Sequence, residues 1–486
     1  MSSFLDCQNM ISKDKLLGEI PSNNDIYKRA FQIAWPSALE SIFVALIGAV
    51  DTMMVGSLGT EAIAAVGICT QPKFVVMATL IGLNTGVNVV VARRKGEKRQ
   101  DEANKTLRNA LILSIFLSAI LTCLGFIFAR PALLFAGAEL SYIDLSVTYF
   151  RYIMIGTFFH LVSLTMTAAQ RGAGKTKISM TCNMTANLVN VIFNALLING
   201  LFFFPRLGVK GAAIATMIGN IVAFLMALFT LLKSNGYLHI SISDDWKLDM
   251  DTLKAIFNIS IPSLGEQLFI RIGFFTYAKA VANLGTVDYA THLICMNMMS
   301  ISFGMGDGLS VASSTLVGQS LGAKRSDMAI IYGKVLQRIG LIMSICLGIL
   351  IALSNEQIMM LFTDEIEVIE KGKVILLMIA LIIQFQVQQV ITMGSLRGAG
   401  DAKYVALISL ISITLIRPSA TYLLAYGFNW GLIGAWLSIY VDQIVRLVCS
   451  KYRFNQAGWT KIKVWFLNHT FFYTSIEIVN HNKRSK

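Results

Sequence analysis

The sequence predicts an all-α polytopic membrane protein, with twelve transmembrane helices in two parallel six-helix repeats and both termini in the cytoplasm. The 486 residues are 55% hydrophobic and only 14% charged, with a mean hydropathy of +0.63. A soluble domain carries about 25% charged residues. Apolar runs long enough to cross a bilayer recur along the chain, and the backbone groups of such runs are satisfied within lipid when they form helices. Several short motifs also occur twice.

Four motifs recur at one constant offset along the chain. A single offset shared over most of the sequence indicates two related halves, an arrangement typical of secondary transporters. The paired motifs begin at Pro36 and Pro262, Leu58 and Leu284, Gly96 and Gly322, and Arg171 and Arg397.

Six apolar runs fall in each half. They lie near 31–56, 62–92, 107–129, 147–170, 178–204, 211–232, 255–282, 290–317, 330–353, 374–396, 404–426 and 433–453. The most polar interior stretch lies between the halves and is the expected linker. The predicted organisation is a cytoplasmic N-terminal tail at 1–30, a first lobe with helices 1–6 at 31–232, a cytoplasmic linker at 233–254, a second lobe with helices 7–12 at 255–455, and a C-terminal tail at 456–486.

Basic residues collect in alternate loops. The loops after the second, fourth and eighth runs are rich in lysine and arginine, those after the first, seventh and eleventh have almost none, and the loop after the ninth is acidic. An excess of lysine and arginine marks the cytoplasmic side, so both termini are expected there. Six spans per half is an even number, so the two repeats should enter the membrane in the same direction.

Composition and spacing also argue against several classes of function. The net charge of +13 comes mainly from these loops and does not indicate a nucleic-acid partner. The seven cysteines are scattered and the five histidines are mostly isolated, so we expect no disulfide, no metal cluster and no enzyme active site. The stretch from Arg171 to Thr176 looks like a phosphate-binding loop, but Ala169 occupies the position of its first glycine. Transport would therefore be secondary.

Carboxylates within apolar spans are the first candidates for function, because burying them in a membrane is costly. Glu40 and Asp51 lie about three helical turns apart in the first span and so fall on nearly the same helix face. Asp51 can take up a proton or bind sodium, and either event would bias a conformational change. The alternative is that Asp51 only caps or pairs near the membrane surface.

Amide side chains form the second group of candidates. Asn187, Asn190 and Asn194 form one stripe on the fifth span, and amide oxygens are suitable ligands for hard cations. Taken alone, the stripe favours helix packing over ion binding. In the second lobe, Gln386 and Gln389 can line a polar cavity or simply join helices.

Several motifs resemble the multidrug and toxic compound extrusion family. They are the run from Val50 to Gly59, the two Arg-Gly-Ala-Gly motifs, and Gly208-Val209-Lys210-Gly211-Ala212-Ala213. The resemblance covers roughly residues 28–464. It implies two six-helix lobes around a central cleft that export organic cations, drugs or metabolites against inward sodium or proton flow.

The resemblance also implies roles for individual residues. The family's first-lobe ion site maps onto Asp51, Asn190 and Asn194, with Thr216 as a further member, although many relatives have aspartate in place of Asn194. A second-lobe aspartate of some members maps onto Gln386. Glu40 and its repeat partner Glu266, together with Gln386 and Gln389, are assigned to the substrate or second-lobe cleft.

The leading hypothesis is therefore a multidrug or organic-cation exporter in the plasma (inner) membrane. It would act as a monomer by alternating access on a small amphipathic cation, with sodium or a proton as coupling ion and no other cofactor or metal. The alternative is a lipid-linked oligosaccharide or lipid flippase of the same superfamily. Such flippases often show fourteen spans and a cationic cavity.

Overall fold

Long helices make up nearly all of the described chain. The structure, a computed structural model, describes residues 6–56, 58–202, 204–233, 236–241 and 243–462. Most of the predicted C-terminal tail therefore lies outside the described residues.

The helices follow the order of the predicted spans. They are α1 Asn23–Gly56, α2 Thr60–Ile68, α3 Thr70–Gly96, α4 Gln100–Ile127, α5 Ala129–Phe135, α6 Ile143–Gly172, α7 Thr176–Asn199, α8 Gly208–Leu232, α9 Met250–Ala282, α10 Thr286–Gly322, α11 Ser326–Leu353, α12 Asn355–Met360, α13 Ile366–Gly398, α14 Ala402–Ser409, α15 Arg417–Thr421 and α16 Gly431–Asn455. Two π-helical segments, Leu410–Ile416 and Tyr422–Gly427, flank α15.

Ten helices of the described chain are long and apolar enough to cross a membrane. The two long helices outside this group are α9 and α10, with 33 and 37 residues. Both occupy predicted spans, but α9 carries Glu266, Arg271 and Lys279, and α10 carries a polar stripe described below. The all-helical membrane fold is confirmed, whereas the count of twelve spans and the cytoplasmic termini stay predictions.

The two sets of helices, α1–α8 (the first lobe) and α9–α16 (the second lobe), meet through α1, α3, α9 and α10. The start of α1 packs into the second lobe, where Ile26, Ala30 and Ala34 share an apolar cluster with Leu309 and Ile331. Conversely, Ile256 and Ile259 of α9 belong to the apolar cluster of the first lobe. Each lobe therefore holds the first helix of the other, and the lobes cannot part without exposing apolar side chains on both sides.

Glycines bring the lobes into backbone contact at one end. A Cβ on Gly96 would overlap the carbonyl oxygen of Gln319, and a Cβ on Gly322 would overlap that of Arg93. Gly322 is the repeat partner of Gly96, and Gln319 that of Arg93. The ends of α3 and α10 thus cross on a pseudo-twofold axis with almost no space between them. We call the side of the molecule on which α1 begins and α3 and α10 end the seam side.

Hydrogen bonds add to this closure on the seam side. Thr315 Oγ1 on α10 donates to Asn88 Oδ1 and to the Arg171 carbonyl, both at 3.2 Å. Gln319 Nε2 donates to the Gly172 carbonyl at 3.0 Å. Because these bonds join α10 to α3 and α6, the second lobe is fixed against the first lobe on this side.

The predicted linker folds back onto α4. His239 N donates to Asn104 Oδ1 at 3.0 Å, and Arg108 pairs with Asp244 at 3.1 Å. At the start of α9, Asp249 caps the helix by accepting from Thr252 N at 2.9 Å and pairs with Lys105 at 2.9 Å. The connection between the lobes is therefore held to the first lobe at several points.

We expect Gly322→Ala to lower the free energy of unfolding by about 1–3 kcal/mol, because its methyl group would overlap the Arg93 carbonyl. The measurement is chemical or thermal unfolding of the purified protein in detergent. Gly67→Ala is the matched control, since a Cβ there meets nothing within 4 Å in a helix, and alanine should be neutral or stabilising. Equal effects of the two changes would contradict a tight crossing at the seam.

We expect Asp249→Asn to cost about 1 kcal/mol of stability, because the ion pair with Lys105 is lost, while asparagine caps the helix as well as aspartate. The variant's stability should also depend less on acid pH. Partial burial alone would raise the pKa of Asp249, but hydrogen bonds from Thr252 and the Lys105 ammonium outweigh it and lower the pKa to about 2. Because the pKa of Asp249 is lower in the folded protein, its contribution to stability is complete above the pKa of the unfolded chain, near 4. It is lost as the pH falls through the folded value. Unfolding measured between about pH 4 and pH 2 should therefore show a smaller loss in the variant than in the parent.

Candidate functional site

The predicted ion-site residues converge within the first lobe. Asp51 of α1 is half-buried, and Asn194 Nδ2 on α7 donates to its Oδ1 at 2.7 Å. With its amide turned to pair donors with acceptors, Asn190 places its nitrogen 2.9 and 3.1 Å from the two Asp51 oxygens. Its oxygen then lies 3.1 Å from Oγ1 of Thr216 on α8. The site is thus assembled from three helices around one carboxylate.

One oxygen in this group has no hydrogen-bond partner among the described residues. It is Oδ1 of Asn194, whose residue is only 2% exposed. A buried acceptor without a donor is costly unless something else satisfies it. Together with the Asp51 carboxylate, it offers oxygen ligands of the kind that a hard cation prefers, and the carboxylate can equally take up a proton.

The stripe of asparagines on α7 divides between two clusters. Asn190 and Asn194 face Asp51, whereas Asn183 donates to Glu40 and Asn187 is not among the partners of either carboxylate. Periodicity placed the asparagines on one face of the helix, but it could not show which of them a carboxylate meets.

Sequence reasoning missed Lys73. It lies in the first turn of α3, and its positive charge acts on Asp51. A charged lysine inside a predicted span was itself the signal that could have identified it. A positive charge at this position opposes the binding of a further cation at Asp51.

The paired glutamates of the first helices form two matching ion pairs. Glu40 pairs with Arg171 at 3.3 Å, and its repeat partner Glu266 pairs with Arg397 at 3.0 Å. Both glutamates are buried, with 7% and 4% exposure. Each pair ties the first helix of its lobe to the helix that ends in an Arg-Gly-Ala-Gly turn, so here both carboxylates contact protein and not an open cleft.

The two predicted glutamines are also enclosed in the second lobe. Gln386 and Gln389 are 0% exposed. Gln386 accepts from Ser302 at 2.9 Å, and Gln389 donates to Gln443 at 3.3 Å. They join α13 to α10 and α16. The assignment of these glutamines and of Glu40 and Glu266 to a substrate cleft stays a prediction.

A different set of polar side chains is open to solvent on α10. Asn297, Ser300 and Asp307 are exposed and follow helical spacing on one face. If α10 spans the membrane as predicted, these side chains would face water or protein, because polar and ionisable groups are costly against lipid. Asp307 lies one residue before Gly308, where a Cβ would touch Ala38 of α1 at 2.5 Å. Asp307 therefore lies beside the contact between α10 and α1, where the two lobes meet.

A cation is exposed on α9, the other long helix outside the group of ten. Arg271 of α9 is exposed and stacks over the ring of Phe74 on α3, with its guanidinium carbon 3.9 Å from the ring centroid. Charges of both signs are thus exposed on α9 and α10.

We expect Asn194→Asp to tighten sodium binding by about tenfold. The second carboxylate and Asp51 repel each other unless a cation lies between them. Binding of radioactive sodium to the purified protein measures this. Asn187→Asp is the matched control, being the same change on the same helix away from Asp51. If both variants bind sodium like the parent, the cluster is not a cation cage.

Comparison with known proteins gives one family. The model of the MatE family matches this chain twice, over residues 36–196 and 262–423, and the two matches begin at the same offset as the repeated motifs. The probable multidrug resistance protein NorM of Thermotoga maritima is 28% identical over 448 residues, covering 91% of this chain and 94% of that protein. The uncharacterized transporter YisQ of Bacillus subtilis is 25% identical, covering 88% and 94%.

Solved structures show the same fold. One described as the outward-facing conformation of a multidrug resistance MATE family transporter of the MOP superfamily has a TM-score of 0.84 at 20% identity, covering 89% of this chain and 96% of that chain. A MOP superfamily transporter from Pyrococcus furiosus also has a TM-score of 0.84 at 20% identity, covering 90% and 97%. Because the family model matches more than half of the residues, the chain belongs to the MatE family of integral membrane transporters.

Proposed function

We propose that this protein is a secondary active exporter of small amphipathic organic cations, driven by inward flow of sodium or protons. The observation that carries the proposal is the Asp51 site. It contains one carboxylate, two amides and a buried acceptor, Asn194 Oδ1, that no described donor satisfies. Relatives named as multidrug resistance proteins support an efflux function, and they do not favour the alternative of a flippase.

The packing of the lobes supports alternating access. The lobes touch through backbone at the seam side, while the polar stripe of α10 is exposed. Such an arrangement corresponds to a cleft that opens away from the seam side. If the seam side is cytoplasmic, as the basic loops predict, the cleft opens outward.

Coupling would run through α1. Asp51 lies on the same helix as Ala38, which packs against Gly308 of the other lobe. Binding of a cation or proton removes the net charge of Asp51 and allows α7 to hold it differently. A shift of α1 would then change the contact between the lobes. Only an ion that binds one conformation better than the other can drive this cycle.

Substrate recognition would use Asp307. An exposed carboxylate at the bottom of a cleft attracts organic cations. The exposed Asn297 and Ser300 supply hydrogen-bonding groups on the same face. Release outward would follow when the coupling ion enters the first lobe.

We expect Asp51→Asn to reduce gradient-driven dye efflux from liposomes to the background of protein-free vesicles, because the neutral amide cannot take up a cation or proton. Imposing sodium and proton gradients separately identifies the coupling ion. An unchanged thermal unfolding midpoint shows that the variant is folded. If efflux persists at the parent rate, coupling does not depend on Asp51.

We expect Asp307→Asn to raise KM for cationic dyes by about tenfold, the loss of one charge–charge contact, while the requirement for an ion gradient remains. Neutral dyes should be affected less. Loss of gradient dependence, or an equal effect on neutral and cationic substrates, would place Asp307 outside substrate recognition.

A further inference from the structure

The seam side carries a cationic cavity that the proposed transport cycle does not use. It has a volume of about 430 Å³, and the described residues that line it include four cations and no carboxylate. The cations are Arg29, Lys95, Lys175 and Lys177. A neighbouring cavity of about 490 Å³ shares Arg29, Lys95 and Gln319.

These four cations come from three segments. Arg29 lies near the start of α1, Lys95 in the last turn of α3, and Lys175 and Lys177 at the turn that leads into α7. The like charges of Lys175 and Arg29 act on Lys95. Their convergence costs electrostatic energy unless an anion lies among them.

Several other cations on this side of the molecule have acidic partners. Arg94 pairs with Glu102, Lys105 with Asp249, Arg108 with Asp244, Arg325 with Asp327, and Arg453 with Asp401. The four cavity cations form no ion pair with a described carboxylate. The rule that places lysine and arginine in cytoplasmic loops explains why they are on this side, but it does not explain why they face one another without acids.

The cavity also offers directed donors. Helix α7 begins at Thr176, which lines the cavity, so its free backbone N–H groups and the positive end of its dipole add to the cationic field. Lysines and helix N-termini together are suited to phosphate oxygens.

The cavity spans both lobes. Gln319 of α10 reaches across the seam, accepting from Arg29 Nη2 at 3.1 Å and donating to the Gly172 carbonyl at 3.0 Å. Rocking that opens the seam side would separate Gln319 from Lys95, Lys175 and Lys177.

We propose that this cavity binds a phosphate-bearing anion, either a free compound or a lipid headgroup, and that the bound anion holds the seam side closed. Binding at this site is separate from the ion and substrate sites. It would slow the transport cycle by favouring one of its two conformations.

The test compares two double variants of the full-length protein in neutral detergent. Lys175→Gln with Lys177→Gln removes two cavity cations, and Lys28→Gln with Lys254→Gln removes two exposed lysines that do not line the cavity. The probe is inorganic pyrophosphate, titrated at constant ionic strength while the thermal unfolding midpoint is recorded. We expect the parent and the control to be stabilised, and the cavity variant to need at least about tenfold more pyrophosphate for half the effect.

A second arm distinguishes the source of the phosphate. The same proteins are reconstituted in phosphatidylcholine with and without phosphatidylglycerol. Stabilisation by pyrophosphate in phosphatidylcholine alone indicates a free anion, and stabilisation by phosphatidylglycerol alone indicates a headgroup. Either kind of stabilisation supports the proposal if it is lost in the cavity variant. No stabilisation by either probe, or equal responses of the two double variants, would overturn it. Transport is not measured, so failure of the proposed export function would not affect the outcome.

Discussion

The crossing of α3 and α10 at the seam is the constraint on which the rest of the arrangement depends. Inside a bilayer, apolar side chains gain little by leaving lipid for protein, so helices associate where small residues let their backbones approach. Gly96 and Gly322 allow this close backbone approach on both sides of the pseudo-twofold axis. On the axis itself, a Cβ on Gly318 would lie 3.0 Å from the Cβ of Ala92. Once the helices meet at one end, a cleft between the lobes can open only at the other end.

The matched ion pairs make each lobe a unit that can move around this crossing. Glu40 with Arg171, and Glu266 with Arg397, fix the first helix of each lobe to a neighbouring helix. Breaking a buried pair by removing one partner costs about 3–5 kcal/mol. Motion is therefore directed to the contacts between the lobes and to the part of α1 beyond Glu40, where Asp51 lies.

Local and periodic features of the fold were accessible from the sequence. Apolar runs located the helices, and the constant offset between repeated motifs identified the two halves, because both depend on residues close in sequence or on exact recurrence. The partners of Glu40 and Glu266 were not accessible, since each arginine lies 131 residues further along the chain.

The site was foreseen in part. Asp51 stood out because a carboxylate in an apolar run is rare, and the family resemblance supplied Asn190, Asn194 and Thr216. Lys73 was missed, and Asp307 was not among the predicted site residues. Neither the proximity of Lys73 to Asp51 nor the exposure of Asp307 follows from spacing along a helix. Both depend on how α3 and α10 are turned relative to the other lobe.

The second lobe has different residues at the positions equivalent to the Asp51 site. Tyr277 is the repeat partner of Asp51 and is buried against His292, with the ring centroids 5.4 Å apart. Asp442, the repeat partner of Thr216, pairs with Arg417 and with Arg446 Nη2 at 2.9 Å. In this lobe the positive charges that neutralise Asp442 are arginine side chains, which are part of the chain and cannot dissociate as a bound ion can.

Under the proposed function, a lobe with a tethered counter-charge leaves one exchangeable ion per cycle. One-for-one exchange of monovalent cations is electroneutral, so the membrane voltage would add nothing to export. The steepest drug gradient this protein could sustain would then equal the concentration ratio of the coupling ion itself.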